Sequence, residues 1–194
     1  ELDKTSGKLR VSSNVSQGFI LSKVVKVGWT LPAIPGAGNI TVGGLLSANA
    51  HGKNHFYASS IERYVILVKM MLADGTIVEC SRTKYASLFA CVLGGLGLCG
   101  VILEVVIQLV RLRSNYIRVD YFPFSDRRDL CRLVDEVKHR YEYVLGWVDP
   151  RDIMNSQSWK GILSCGNYDT DQNASLDPHY QVQTQFRFPL RNPF

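Results

Sequence analysis

The stretch "LPAIPGAGNITVGGLLSANAHGKNH", Leu31 to His55, decides how the rest of this chain is read. Pro32, Pro35, Gly36, Gly38, Gly43, Gly44 and Gly52 break it so often that no regular helix or strand is expected to persist before Leu45. Yet Leu31, Ile34, Ile40 and Val42, with Trp29 just before, are too apolar for a segment left in water, so the loop is expected to be ordered. Glycines clustered in an ordered loop mark positive φ angles or close approach of the backbone to a ligand. Gly43 and Gly44 stand just before the apolar run "LLSANA", so free backbone N–H groups are expected there, facing a polar or anionic ligand. The same stretch ends on His51-Gly-Lys-Asn-His55, the i, i+4 pair that holds zinc when it lies on a helix. Gly52 disfavours that helix, Lys53 stands where a carboxylate would help, and His139 and His179 are remote in sequence, so no metal site is expected. Taken alone, His51 and His55 also fit as hydrogen-bonding loop residues, and Lys53 as a solvated charge.

Working outward, "GKLRVSSNVS" opens as a strand, and Ile20, Leu21, Val24 and Val25 follow at helical spacing, with Gly28 as the cap. Downstream, "YVILVKMMLADGTIVECS" predicts two strands joined at Asp74-Gly75 by a type I′ turn. "TKYASLFACVLGG" predicts a short helix, and "VILEVVIQLV" a largely buried strand ending near Arg111. Phe89 to Val110 is apolar enough to suggest a membrane span. Gly94, Gly95, Gly97 and Gly100, then Glu104 and Gln108, argue instead for a glycine loop and a strand. "GGLGLCG" is not a dinucleotide fingerprint, because it leads into a strand where that fingerprint must open a helix.

A second unit is expected from about residue 113. "YIRVDYF" alternates as a strand, Ser125 is the expected N-cap of an amphipathic helix carrying Leu130, Leu133, Val134, Val137 and Tyr141, and "EYVLGWV" and "WKGILSC" read as strands. Asn167 to His179 reads as loop. Domains of 1–112 and 113–194, the second incomplete, are the expected division.

Composition narrows the function classes. The chain has 194 residues, 46% hydrophobic and 20% charged, enough for one ordinary core and part of another. Its formal charge of +5 is scattered apart from Arg111, Arg113, Arg127 and Arg128, so a nucleic-acid partner is not expected. Five cysteines, Cys80, Cys91, Cys99, Cys131 and Cys165, are odd in number, lack a C-x-x-C pair and read as mostly buried hydrophobes without a disulfide framework. Glycosylation-type sequons at Asn14, Asn39 and Asn173 are short enough to arise by chance, and "ELDKTSGKLR" has no secretory pattern, which leaves the compartment open with the cytoplasm slightly favoured.

The ordered succession of Leu31–His55, "LVKMMLADGTIVECS" and "LFACVLGGLGLCGVILEVVIQL" resembles the second half of the FAD-binding domain of vanillyl-alcohol-oxidase-type (PCMH-type) flavoproteins. Within that superfamily it is most similar to the decaprenylphosphoryl-ribose 2′-oxidase branch, which shares the P-G…T-V-G-G…H-G-K-N-H order. The resemblance runs from Gly7 to about Arg111 and, more weakly, from Tyr141 to Cys165. It implies an α+β fold, with the second half of a PCMH-type FAD-binding domain followed by the start of a substrate (cap) domain.

The resemblance also implies non-covalent FAD, with backbone contacts from Pro35, Gly36, Thr41, Val42, Gly43 and Gly44. Ala48, Asn49, Ala50, His51 and Gly52 would run beside the flavin, and Ile102 would touch the cofactor through its backbone. His51 and Lys53 would face the substrate, an alcohol of a sugar or sugar-derived compound whose hydride goes to flavin N5, and the Lys53 charge would suit an anionic substrate such as a phosphorylated sugar. The segment that holds the FAD pyrophosphate in this superfamily would precede Glu1, and a lysine near the flavin would follow Phe194. The chain is therefore expected to be the middle of a larger enzyme, with FAD binding weak or absent and no turnover expected of it alone. Sterol Δ24-reductase-like and aldonolactone-oxidase-like enzymes share "LPxxP…TVGG" and "ADG", and a truncated relative acting only by binding a partner is the reading from another class.

Overall fold

A computed structural model describes residues 1–149 and 159–170. Helices and antiparallel sheets are mixed in an α+β architecture. The main sheet has four strands in the order β1 (Lys8–Ser12), β5 (Val101–Gln108), β3 (Val65–Met71) and β4 (Ile77–Ser81), all paired antiparallel. Its registers set Leu9 opposite Ile107 and Val68 opposite Val105, and all four side chains are buried. Helices α1 (Gln17–Val24) and α2 (Val42–Ser47) add Ile20, Leu21, Val24, Leu45 and Leu46 to the same core. A two-residue strand β2 (Trp29–Thr30) pairs with β6 (Val110–Arg111), and the Arg111 guanidinium lies 3.9 Å from the centre of a Trp29 ring.

Local chemistry explains the element ends. Ser16 caps α1 by accepting from the Phe19 N–H, and a single 3-10 turn, Val25–Val27, ends at Gly28, whose φ of 77° is the left-handed value expected of a glycine cap. The Asp74-Gly75 hairpin forms with a different turn from the type I′ expected. Only Gly75 has positive φ, the Gly75 N–H donates to Leu72 O, and the Leu72 N–H to Thr76 O, which gives a three-residue loop closed by a left-handed glycine. The Asp74 carboxylate accepts the Thr76 N–H, which favours an ordinary φ at Asp74.

The apolar run Phe89 to Val110 divides into the end of α4 (Ala86–Val92), a glycine turn and β5, and among the described residues no helix is long and apolar enough to cross a membrane. Within that turn the structure corrects the reading of the cysteines: Cys91 and Cys99 form a disulfide, with Cα atoms 6.5 Å apart. Gly94 and Gly97, both at positive φ, turn the chain back so that residues eight apart meet. Cys80 and Cys165 are buried thiols as expected, with pKa values raised by burial, whereas Cys131 is exposed.

A second sheet, in the order β7 (Ile117–Phe124), β9 (Gly161–Tyr168), β8 (Tyr143–Val148), carries α5 (Arg127–Val137) on one face, where Phe124, Leu133, Val137, Leu163 and Cys165 make a small core. The expected order strand, helix, strand, strand is the one observed. The cap of α5 is Asp126, which accepts the Asp129 N–H, not Ser125; a carboxylate suits the positive end of the helix better than a hydroxyl. Strand β9 continues through Asn167 and Tyr168, so the loop expected from Asn167 starts later; His179 and Asn173 lie outside the described residues.

Candidate functional site

The Pro/Gly-rich loop is ordered by the helix before it. The first N–H groups of an α-helix have no partner within it, and here Gln17 N–H donates to Ile40 O and Gly18 N–H to Gly38 O. The buried Gln17 side-chain amide donates to Pro35 O and Ala37 O. Loop residues 35–40 are thus held on the start of α1, and Gly36 is left exposed, with nothing near the place where a Cβ would be.

Thr41 then caps α2 through the Gly44 N–H. The expectation of free N–H groups at Gly43 and Gly44 is not met. Val42 N–H donates to Val15 O, Gly43 N–H to Ser13 O and Gly44 N–H to the Thr41 hydroxyl. Close packing accounts for Gly43: a Cβ there would sit 3.3 Å from Ser13. Strand β5 runs past its pairing with β1, which reaches only Glu104, and this leaves Ile102 on the part of the sheet beside the Ser13 turn.

Beyond α2 the chain turns at Asn49, a non-glycine residue at φ 43° whose side chain is bonded to Glu62 at both the backbone N–H and the carboxylate. Ala50 N–H donates to Leu45 O, and His51 bridges to Ser60; Lys53 and Asn54 form a turn, and His55 opens the short helix α3 (His55–Ala58), so the two histidines do not share a helix face. Gly52 is buried against the Pro/Gly loop, where a Cβ would fall 2.8 Å from Ile34 N and 2.6 Å from Asn54 Oδ1. The buried Asn54 side chain donates to Pro32 O. These contacts bring two segments well apart in sequence to one cavity of about 440 Å³, lined by Pro35, Gly36, His51, Gly52 and Lys53, with Val144 and Leu145 of β8 opposite. The Val144 N–H donates to Lys53 O at 2.9 Å, so the second sheet is hydrogen-bonded to this wall.

Of the residues singled out from sequence, Pro35, Gly36, His51, Gly52 and Lys53 therefore share one cavity. Thr41 to Gly44, Ala48 to Ala50 and Ile102 do not line it and lie along α2, the turn after it and β5. The His51 and His55 rings are 4.7 Å apart between centroids, and among the described residues no group of three or more His, Cys, Asp or Glu is placed to hold a metal.

An adjoining cavity of about 490 Å³ shares Ile34, Pro35, Gly36 and Lys53 and adds Asn54, Tyr143 and Tyr168. The Tyr143 hydroxyl donates to the Tyr168 hydroxyl at 3.0 Å. Burial raises the pKa of both tyrosines, so both stay protonated at neutral pH. Arg113 stacks 4.5 Å from the Tyr168 ring centre and pairs with Glu142; burial opposes its charge, and the Glu142 hydrogen bond and charge outweigh this and hold its pKa above the ordinary value. Sequence reading missed Gln17, Asn54, Tyr143 and Tyr168. The only signal for the tyrosines was strand alternation, which puts Tyr143, Leu145 and Trp147 on the face opposite α5.

Against known proteins, residues 1–81 match the model of a family described as "FAD binding domain". Residues 1–81 belong to an FAD-binding domain. The chain is 33% identical over 126 residues to a Streptomyces coelicolor protein named "Uncharacterized protein in mprA 5'region", covering 65% of this chain and 34% of that one. It is 25% identical over 142 residues to the Delta(24)-sterol reductase of Rattus norvegicus, covering 73% and 27%. It is 29% identical over 120 residues to the decaprenylphosphoryl-beta-D-ribose oxidase of Mycolicibacterium smegmatis, covering 61% and 26%. The family match and these low-identity relatives support a PCMH-type FAD-binding domain with FAD as its cofactor. It spans between a quarter and about a third of the length of these relatives. The FAD-binding segment ends with β4, and the wall built by Pro35, Gly36 and His51 to Lys53 lies inside it.

Proposed function

We propose that this chain supplies one wall of the flavin pocket of an FAD-linked oxidoreductase that oxidises an alcohol of a sugar or sugar-derived compound. The observation that carries the reading is the convergence of Pro35-Gly36 with His51-Gly52-Lys53 on one cavity inside the FAD-binding segment. The wall fits a flat ring system: Gly36 leaves its face open, Gly52 is thin enough to lie on the Ile34 backbone, and the wall carries only one cation, Lys53. Pro35, Gly36, His51 and Gly52 would hold the ring by backbone and van der Waals contact, non-covalently. Thr41 to Gly44, Ala48 to Ala50 and Ile102 would support the rest of the cofactor, through carbonyls and side chains at Val42 to Gly44, where the N–H groups are used internally.

When bound, FAD supplies the hydride acceptor, its N5. The protein's part is orientation and charge. Lys53 is an exposed ammonium on the cavity rim and favours an anionic group on the substrate, as in a phosphorylated sugar. His51, which also lines the cavity, is placed to exchange a proton with the substrate hydroxyl. Residues 113–149 and 159–170 would form the beginning of the substrate domain, with β8 as the opposite side of the pocket.

FAD added to the full chain should quench the fluorescence of Trp29 or Trp147 saturably, and Gly36→Val should weaken that binding at least tenfold without lowering the melting temperature. If FAD leaves the fluorescence unchanged in a folded chain and in a longer chain carrying the flanking sequence, the reading is wrong.

A further inference from the structure

The Cys91–Cys99 bridge closes a loop that grips the helix leading to the proposed flavin wall. The last carbonyls of a helix have no partner within it, and those at the end of α2 are taken up from this loop: Gly94 N–H donates to Leu46 O and Leu96 N–H to Ser47 O, both at 2.9 Å. Leu46 O also accepts the Asn49 N–H, so the loop and the turn into Ala50 and His51 share one acceptor. A Cβ at Gly94 would lie 3.3 Å from the Asn49 Cβ, which sets the two chain segments in direct contact.

Little besides the bridge keeps the loop in this shape. Leu96 is 74% exposed and Leu98 89%, so its two large side chains bury almost nothing. Gly94 and Gly97 are at positive φ, and Leu96 joins them at 51°, a left-handed angle that is unfavourable for any residue with a Cβ. Asn49, on the facing segment, is held at φ 43°. Conformations of this kind persist only where the surroundings over-determine them, and beyond main-chain hydrogen bonds the constraint on the loop is the covalent one between residues 91 and 99. Cys91 is exposed and Cys99 half-buried, so Cys91 offers the sulfur that a thiolate from solvent can attack.

We propose that Cys91–Cys99 is an exchange site for a dithiol reductant, and that its reduction frees residues 94–98 from α2 and loosens the Asn49–Ala50 turn that carries His51. One thiolate of the dithiol attacks the Cys91 sulfur, forming a mixed disulfide and expelling Cys99 as a thiolate that takes up a proton. The second thiol then attacks the dithiol's own sulfur in the mixed disulfide, closing the reductant's disulfide and releasing Cys91 as a thiol. Two electrons and two protons pass to the protein. That the loosened turn belongs to a flavin pocket rests on the oxidoreductase reading, whereas the exchange and the loosening are measured without flavin and stand or fall apart from it.

Two measurements on the folded full chain test this. Under native conditions iodoacetamide should label Cys131 alone, and after dithiothreitol it should label Cys91 and Cys99 as well, with the buried Cys80 and Cys165 still protected. Amide hydrogen exchange at Gly94 and Leu96 should be about ten- to hundredfold faster in the reduced chain than in the oxidised one, the freedom regained by a short loop, and at Asn49 and Ala50 at least about threefold faster. The amides of β9 should be unchanged. Cys91→Ser should reproduce the reduced pattern without dithiothreitol, and the wild-type comparison stands even where that variant fails to fold. Labelling of Cys91 and Cys99 only after denaturation, or unchanged exchange at Asn49 and Ala50, would overturn the proposal. So would an equal acceleration at Gly94, at Leu96 and throughout β3 and β5, which would mark a general loosening of the larger core.

Discussion

The two packed regions of this molecule bury their sheets to different degrees. Around the four-stranded sheet, α1, α2 and α4 cover a core that includes Val42, Leu45, Leu46, Val68, Val105 and Ile107, all fully buried. The three-stranded sheet is covered on one face only. Its other face carries Val119, Tyr121, Trp147 and Ile162, each exposed, and Trp147 is 65% exposed. Sheets of this antiparallel kind normally turn a polar face to water, and this one keeps aromatic and branched residues there. The end of that face bearing Tyr143 and Leu145 meets the FAD-binding segment and forms the far side of both cavities. The first region is built for stability, and the second supplies a surface.

The sharpest way to break this contrast is to remove core volume on each side. Leu46→Ala should cost about 3–5 kcal/mol and unfold the whole described structure together, whereas Leu163→Ala should cost about 2 kcal/mol, because a small one-sided core can close around the gap. Urea unfolding followed by fluorescence in two chains, one keeping only Trp29 and one keeping only Trp147 of the three tryptophans, reads the two regions separately, and equal losses would refute the distinction.

A smaller effect belongs to the first region alone. Reducing the Cys91–Cys99 bridge, or Cys91→Ser, should lower stability by about 2–3 kcal/mol through the freedom regained by a short loop. The Trp29 transition should move and the Trp147 transition should not; the reverse pattern would mean that the bridge supports the second sheet.

The smallest effect is a pH dependence confined to the second region. Tyr143 and Tyr168 have pKa values above the ordinary tyrosine value because burial penalises the phenolate. The unfolded chain therefore loses these protons first, near pH 10. Stability from this pair is complete below that pH and falls as pH rises through the folded values. The urea midpoint read by Trp147 should drop between pH 9 and pH 11, and Tyr143→Phe should flatten the drop; an unchanged slope in the variant would remove the pair as its source.

Much of the fold was legible because periodicity is a local property. The spacing of Ile20, Leu21 and Val24, the hairpin around Gly75 and the stripe through Leu133 and Val137 each appear as read, with the turn type and the cap of α5 corrected. What escaped depends on partners remote in sequence. The N–H of Gly43 looked free because Ser13, which takes it up, is brought there only by the packing of α2 on the end of β1, whereas that of Gly44 is taken by its own local cap, Thr41. The cysteine bridge forms because glycines between residues 91 and 99 turn the chain back, a consequence of backbone angles that the spacing does not state. The meeting of Pro35 with His51 and Lys53 rests on Gln17 and Asn54, two amides whose role is invisible until their carbonyl partners are known.

The bond from Val144 N–H to Lys53 O joins the two regions through main-chain atoms alone. Any residue but proline at position 144 can make it, and the side chain at 53 plays no part in it. The Val144 side chain packs against the small core under α5, so of the two only the exposed Lys53 side chain is open to exchange without loosening the junction. A change of side chain at position 53 carries little structural penalty, which makes it a natural starting point for engineered or evolved variation of this wall.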